Sequence, residues 1–152
     1  LDENHANLMQ QAWGEVELLV RAQDVVEWQD TMKCCRGDRV RFRIHFLNTG
    51  KEMMRNVTLR VIVPTGMTFE SGSVILYNGS HPDGVALNDN LFADSAMNIG
   101  DYNPGGGTYV YFWAKVDEVN DDKNICYRVL LETNGGYITK ADTVNILVDA
   151  LE

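Results

Sequence analysis

Histidine, proline and cysteine are scarce in this chain of 152 residues, with three of each. So few prolines exclude a proline-rich linker or an extended polyproline stalk. Three cysteines, two of them adjacent (Cys34, Cys35) and one distant (Cys126), exclude a disulfide framework. A single bridge from Cys34 or Cys35 to Cys126 stays open, and it would leave one thiol over. The histidines (His5, His45, His81) are scattered and no C-x-x-C occurs, so a zinc site has no ligand spacing to rest on. No apolar run approaches the roughly 20 residues that cross a bilayer, so direct membrane insertion is not expected. Positive charge is also short: 13 Lys and Arg stand against 22 Asp and Glu, a net charge of -9. Like charge repels nucleic acid and anionic lipid, so neither is an expected partner.

What remains is an ordinary globular composition, 45% apolar and 23% charged. The length suits one domain with a real core. Residues 1–15 read as a tail or a short helix, because Leu8, Ala12, Val16 and Leu19 fall at helical spacing while Gly14 interrupts. From Val16 a strand is equally legible, with Val16, Leu18, Val20 and Ala22 on one face. Residues 16–152 read as a single domain. The chain opens on polar Leu1-Asp2-Glu3-Asn4 rather than on Met or a signal peptide, which suggests a processed fragment.

Strand signals dominate after residue 37. Gly37-Asp38 is a turn, followed by strict alternation: Val40, Phe42, Ile44 and Phe46 against Arg39, Arg41, Arg43 and His45. A period of two marks a half-buried strand. Asn48-Thr49-Gly50 closes it, a pair of residue types that tolerate positive φ. Val57, Leu59, Val61 and Val63 form the next strand, ended by Pro64. Gly66 and Gly72 bracket a bend with Phe69; Ser73 to Tyr77 and Met97 to Ile99 are short strand candidates. Residues 79–96 read as a long polar loop. Val110, Phe112, Ala114 and Val116, then Tyr127, Val129 and Leu131, then Val144, Ile146 and Val148 complete the alternating runs. About seven or eight short strands without helical crossovers predict an all-β, antiparallel sandwich.

The motif order carries a resemblance. Gly37-Asp38, Asn48-Thr49-Gly50, Asn56-Val57, Pro64-Thr65-Gly66, Phe69-Glu70-Ser71-Gly72-Ser73-Val74, Ile99-Gly100 and Pro104-Gly105 follow one another, interleaved with the strands at 40–46 and 110–116. From about Gly37 to Val148 the chain resembles the bacterial conserved-repeat surface domain (domain of unknown function eleven). That resemblance implies an immunoglobulin-like sandwich in extracellular or cell-surface proteins, often in tandem, with neighbouring domains of a larger chain as its partners. The chain departs from the family pattern at Met97-Asn98, where a Trp is usual. It departs again at Tyr109, Tyr111 and Trp113, where small polar residues are usual.

Those three aromatics are the candidate ligand site. On an exposed strand face they could stack on sugar rings or dock a protein. Against this, the N-terminal segment could cover them through Leu8, Trp13 or Trp28, and aromatic cross-strand pairs stabilise sheets with no ligand. Whether residues 1–30 cross that face separates the two. The row Arg39, Arg41, Arg43 and His45 could attract an anionic polymer; against this, alternation reads it as a solvated face neutralised by acidic neighbours such as Glu132 or Asp142. The acidic groups Asp117, Glu118, Asp121, Asp122 and Asp89, Asn90, Asp94 read as solvated turns, since neither has the ordered spacing of a calcium loop. An isopeptide crosslink between Lys33 and Asn145 would need a buried carboxylate, and alternation turns Asn145 outward. No catalytic motif is present, and Cys126 and His45 imply no cleft. The expectation is a non-catalytic structural or adhesive module with no cofactor and no metal. The alternative is a carbohydrate- or protein-binding module acting through Tyr109, Tyr111 and Trp113.

Overall fold

A computed structural model describes residues 14–117, 125–135 and 138–148; in the last two stretches the side chains described are those of 132, 133 and 141–148. The alternating runs are all strands: β1 (Gly14–Ala22), β2 (Thr31–Cys34), β3 (Arg39–Asn48), β4 (Met54–Ile62), β5 (Met67–Phe69) and β6 (Ile75–Asn78). They continue as β7 (His81–Ala86), β8 (Met97–Tyr102), β9 (Gly107–Val116), β10 (Ile125–Gly135) and β11 (Ile138–Val148), with a 3-10 turn at Asp89–Phe92. One sheet has the order β1-β3-β9-β6-β7, with β5 also on β9; the other has the order β2-β11-β10-β4-β8. The two form an immunoglobulin-like sandwich. Eleven strands occur among the described residues rather than seven or eight, because the short strands β2, β5 and β7 join those that alternation marks.

Alternation decides which side chains meet between the sheets. Val40, Phe42, Ile44 and Phe46 on β3 and Val110, Phe112, Ala114 and Val116 on β9 are wholly buried. They face Val57, Leu59 and Val61 of β4 and Val144, Ile146 and Val148 of β11, which are equally enclosed. Phe42 and Phe112 stack with ring centroids 4.7 Å apart. Each such side chain contributes about 1.5–3 kcal/mol by leaving water. Phe69 does not sit deep between the sheets. It is half-buried at the end of β5 and stacks on Phe92 at 3.8 Å.

The polar stretch 79–96 is more ordered than a loop. It holds edge strand β7 and the 3-10 turn, which delivers a fully buried Leu91 to the core. Asn48 also differs from expectation. Neither it nor Gly50 has positive φ. Instead its buried side chain donates to the carbonyls of Glu52 and Tyr102, both at 2.8 Å, and accepts from the Gly50 N–H at 2.9 Å. The motif is thus a hydrogen-bonded clamp at the sandwich end. Beside it Gly107 is obligatory, since a Cβ there would stand 2.2 Å from the Phe46 carbonyl oxygen.

Strand direction sets the two ends. Gly14 pairs with Asn48 at the end of β3, whereas Val148 pairs with Ile125 at the start of β10 and with Cys34 at the end of β2. Since Cys34 precedes Arg39 at the other end of β3, the first strand enters at one end and the last leaves at the opposite one.

Candidate functional site

The outer face of the first sheet gathers the residues of interest. β3 and β9 pair so that Arg41 lies opposite Trp113, Arg43 opposite Tyr111 and His45 opposite Tyr109. The basic row and the aromatic row, separate features in the sequence, are therefore two columns of one surface. The Arg39 guanidinium lies 3.8 Å over the Trp113 ring, and that of Arg41 lies 5.5 Å from Trp113 and 4.6 Å from Tyr111. His45 stacks on Tyr109 at 4.3 Å, and Tyr109 and Tyr111 stand 6.5 Å apart with their planes 22° from parallel. Cations over ring faces are held by the ring quadrupole. The result is a ladder in which guanidinium and ring alternate.

Local structure fixes its ends. β5 and β6 pair with successive stretches of β9, and the bend between them bonds Trp113 in both directions. Glu70 N–H donates to the Trp113 carbonyl at 2.8 Å, and the Trp113 N–H donates to Ser73 Oγ at 3.1 Å. That bend presents Glu70 to Arg39, which grips it through Nε and Nη2 at 2.6 and 2.7 Å. The Arg39 hydrogen bonds hold the Glu70 carboxyl below the usual carboxylate range, and the Glu70 bond raises Arg39 in turn. Arg43 has Glu17 at 3.9 Å. The carboxylates near the basic row are thus Glu70 and Glu17, not Glu132 or Asp142. Glu132 sits opposite Arg60 on the other sheet, and Asp142 accepts the Leu18 N–H at 2.8 Å, capping an outward donor of edge strand β1. Burial lowers the pKa of His45, with Glu17 opposing and Arg43 assisting.

Residues 14–22 do not cross the aromatic face, because β1 is a strand of the same sheet. Leu8 and Trp13 lie outside the described residues. After β1 the chain folds back: Gln29 bridges Val20 through two 2.8 Å hydrogen bonds, and Trp28 comes down on the face. Its ring is 5.9 Å from Tyr111, 5.2 Å from the Arg21 guanidinium and 5.1 Å from that of Arg43. Trp28 covers part of the row; Tyr109 stays 39% exposed, and Tyr111 and Trp113 are half-buried. Across the row, Tyr77 meets Tyr111 edge-on at 5.7 Å. Tyr77 packs against Gly84, where a Cβ would come within 2.8 Å of the ring.

Between these rings runs a groove of about 540 Å³, walled by Trp28, Arg41, Tyr77, Tyr109 and Tyr111, with Arg21 and Val26 at its rim. Trp113 backs the ladder rather than lining the groove. Arg21, Trp28 and Tyr77 were not singled out as ligand candidates from sequence, and Arg41 was weighed only as one of a basic row that could attract an anionic polymer. The sequence signals for them were the alternation that turns Arg41 and Tyr77 outward and the place of Trp28 as a candidate cover of the aromatic row.

The other candidates do not converge. Asp89 accepts from Ser71 and Gly72, and Asp94 pairs with Arg60 at 2.8 Å. Glu118, Asp121 and Asp122 lie outside the described residues. Lys33 and Asn145 are on adjacent strands, but both are on the outer face, and no carboxylate is buried among the described residues. Cys34 and Cys126 belong to strands separated by β11. Two strand spacings, roughly 9.6 Å, exceed the roughly 7 Å Cα limit of a disulfide. Cys35 is exposed and unbridged.

No protein-family model matches the chain, and no curated protein matches it. Solved structures do share its fold. The major pilin subunit BcpA of Bacillus cereus superposes with a TM-score of 0.51 at 10% identity, over 90% of this chain and 40% of the pilin. The C-terminal domain of the Streptococcus agalactiae AgI/II polypeptide BspA gives 0.50 at 12%, over 87% of this chain and 49% of the other. AvmM, which catalyses macrocyclisation in alchivemycin A biosynthesis, gives 0.50 at 5%, over 94% and 91%. The chain spans less than half of the pilin and of the BspA structure. At these identities the likeness is one of fold.

Proposed function

We propose that this chain is a non-catalytic structural or adhesive module of a bacterial cell-surface protein, set in line with neighbouring domains. The observation that carries this reading is the path of the chain, which enters the sandwich at the Gly14 end and leaves at the Val148 end. A load applied through the two ends therefore runs along the strands and shears whole ladders, rather than opening them one hydrogen bond at a time. The exposed edges are guarded as well: β7 is short and carries Pro82, and β8 pairs irregularly with β4. Such devices keep edges from pairing with foreign strands. The motif order that resembles the conserved-repeat surface domain supports the same reading, as does the fold shared with a pilin.

The test is single-molecule stretching. Pulled through its two ends, the chain is expected to unfold at clearly higher force than when pulled through Lys51 and Gly14, which lie at the same end. Equal forces would remove the mechanical basis of the proposal. A second reading, ligand binding on the outer face, is favoured by one observation: the groove between Trp28, Tyr77, Tyr109 and Tyr111.

A further inference from the structure

The charge of this groove runs against the charge of the chain. The protein carries -9 overall, yet among the described residues both ionised side chains at the groove are arginines and no acid lines it. Asp24 and Glu27, on the loop that carries Trp28, are exposed and do not line the groove. The arginines of the face are not equivalent. Arg39 is held by Glu70 and Arg43 has Glu17 within 3.9 Å. Arg41 alone of these three has no carboxylate partner among the described residues; its Nε, like that of Arg43, is buried without a hydrogen bond. Arg21 spends Nη1 on the carbonyls of Ala22, Gln23 and Val25 at 3.1–3.4 Å, which pins the loop and leaves its charge uncompensated at the rim.

We infer that this groove takes a carboxylate-bearing sugar unit of an acidic glycan; the inference rests on the face-binding reading above and specifies its ligand. A carboxylate reaching the groove side of the Arg41 guanidinium forms a charge-assisted pair with a cation that has no carboxylate partner among the described residues. Tyr109 and Trp28 offer rings to the apolar side of a sugar, and tyrosine hydroxyls offer hydrogen bonds to its hydroxyls. A volume of about 540 Å³ is in the range of small-ligand sites. Peptide strands, by contrast, dock on unpaired sheet edges. Here β3 and β9 are paired on both sides, and the β1 edge is occupied by Gln29 and Asp142.

Calorimetric titration of the chain at about physiological salt with trigalacturonic acid, its methyl ester and a glutamate peptide tests this. The acid is expected to bind roughly tenfold or more tightly than the ester, the loss expected for one hydrogen bond to a charged group. Arg41→Gln should erase that preference, so that acid and ester bind the variant alike. Tyr109→Ala, at an exposed position that threatens folding little, should weaken both, and melting curves verify that each variant is folded. Equal binding of acid and ester would overturn the inference and leave face binding standing. Binding of neither would overturn both. Tighter binding of the glutamate peptide than of the acid would overturn it in favour of an acidic protein partner.

Discussion

The two faces of the β3–β9 pair share one backbone and one register yet cohere by different physics. Inward, Val40, Phe42, Ile44 and Phe46 meet Ala114, Phe112, Val110 and Thr108, and all are enclosed. Their cohesion is area removed from water and close contact, and it tolerates no water and little change of volume. Outward, Arg39, Arg41, Arg43 and His45 meet Lys115, Trp113, Tyr111 and Tyr109. There the rings are half-covered by guanidinium groups, so attraction depends on charge and orientation as well as on area. The inner face is finished, whereas the outer face leaves Arg41 uncompensated. A surface that is stable without being satisfied is the kind on which a ligand can act.

This contrast can be broken in order of effect. Phe112→Ala should cost about 3–5 kcal/mol, because it leaves a cavity under a stacked ring. At this chain length that lowers the melting temperature by about 10 °C or more, measurable by calorimetry. Trp113→Ala should cost less, about 1–2 kcal/mol, as a half-exposed ring loses its cation contacts. If the two variants melt alike, the outer face is core by another name. The smallest effect is that of pH. Burial places the His45 pKa below its ordinary value in the folded chain. The folded state therefore binds fewer protons, and stability is complete above pH about 6.5 and falls as pH drops through that value. His45→Gln should flatten the melting temperature between pH about 7 and 5. An unchanged slope would show that His45 does not set it; the depressed Glu70 carboxyl acts with the same sign only below that window.

The strands were legible where one face is buried and the other wet, as in β3, β4, β9 and β11. β7 was hidden because His81-Pro82-Asp83-Gly84 lies on an exposed edge where neither face demands apolar residues. Leu91 was hidden by the polar residues of the 3-10 turn that carries it. Of the site, Tyr109 and Tyr111 were legible as outward aromatics. Trp28 was legible only as a candidate cover, and Arg41 only as one of a basic row read first as a solvated face.

Residue order alone determined which side chains of each strand point together, because alternation is a local property of extended backbone. It also determined the class of fold, since nothing between the strands could make helical crossovers. Only the tertiary structure decided that β3 lies beside β9, and so that arginines stand between aromatic rings and leave a cationic groove in an acidic protein. Strand pairing joins residues some 70 positions apart, and no local pattern in either strand names its neighbour.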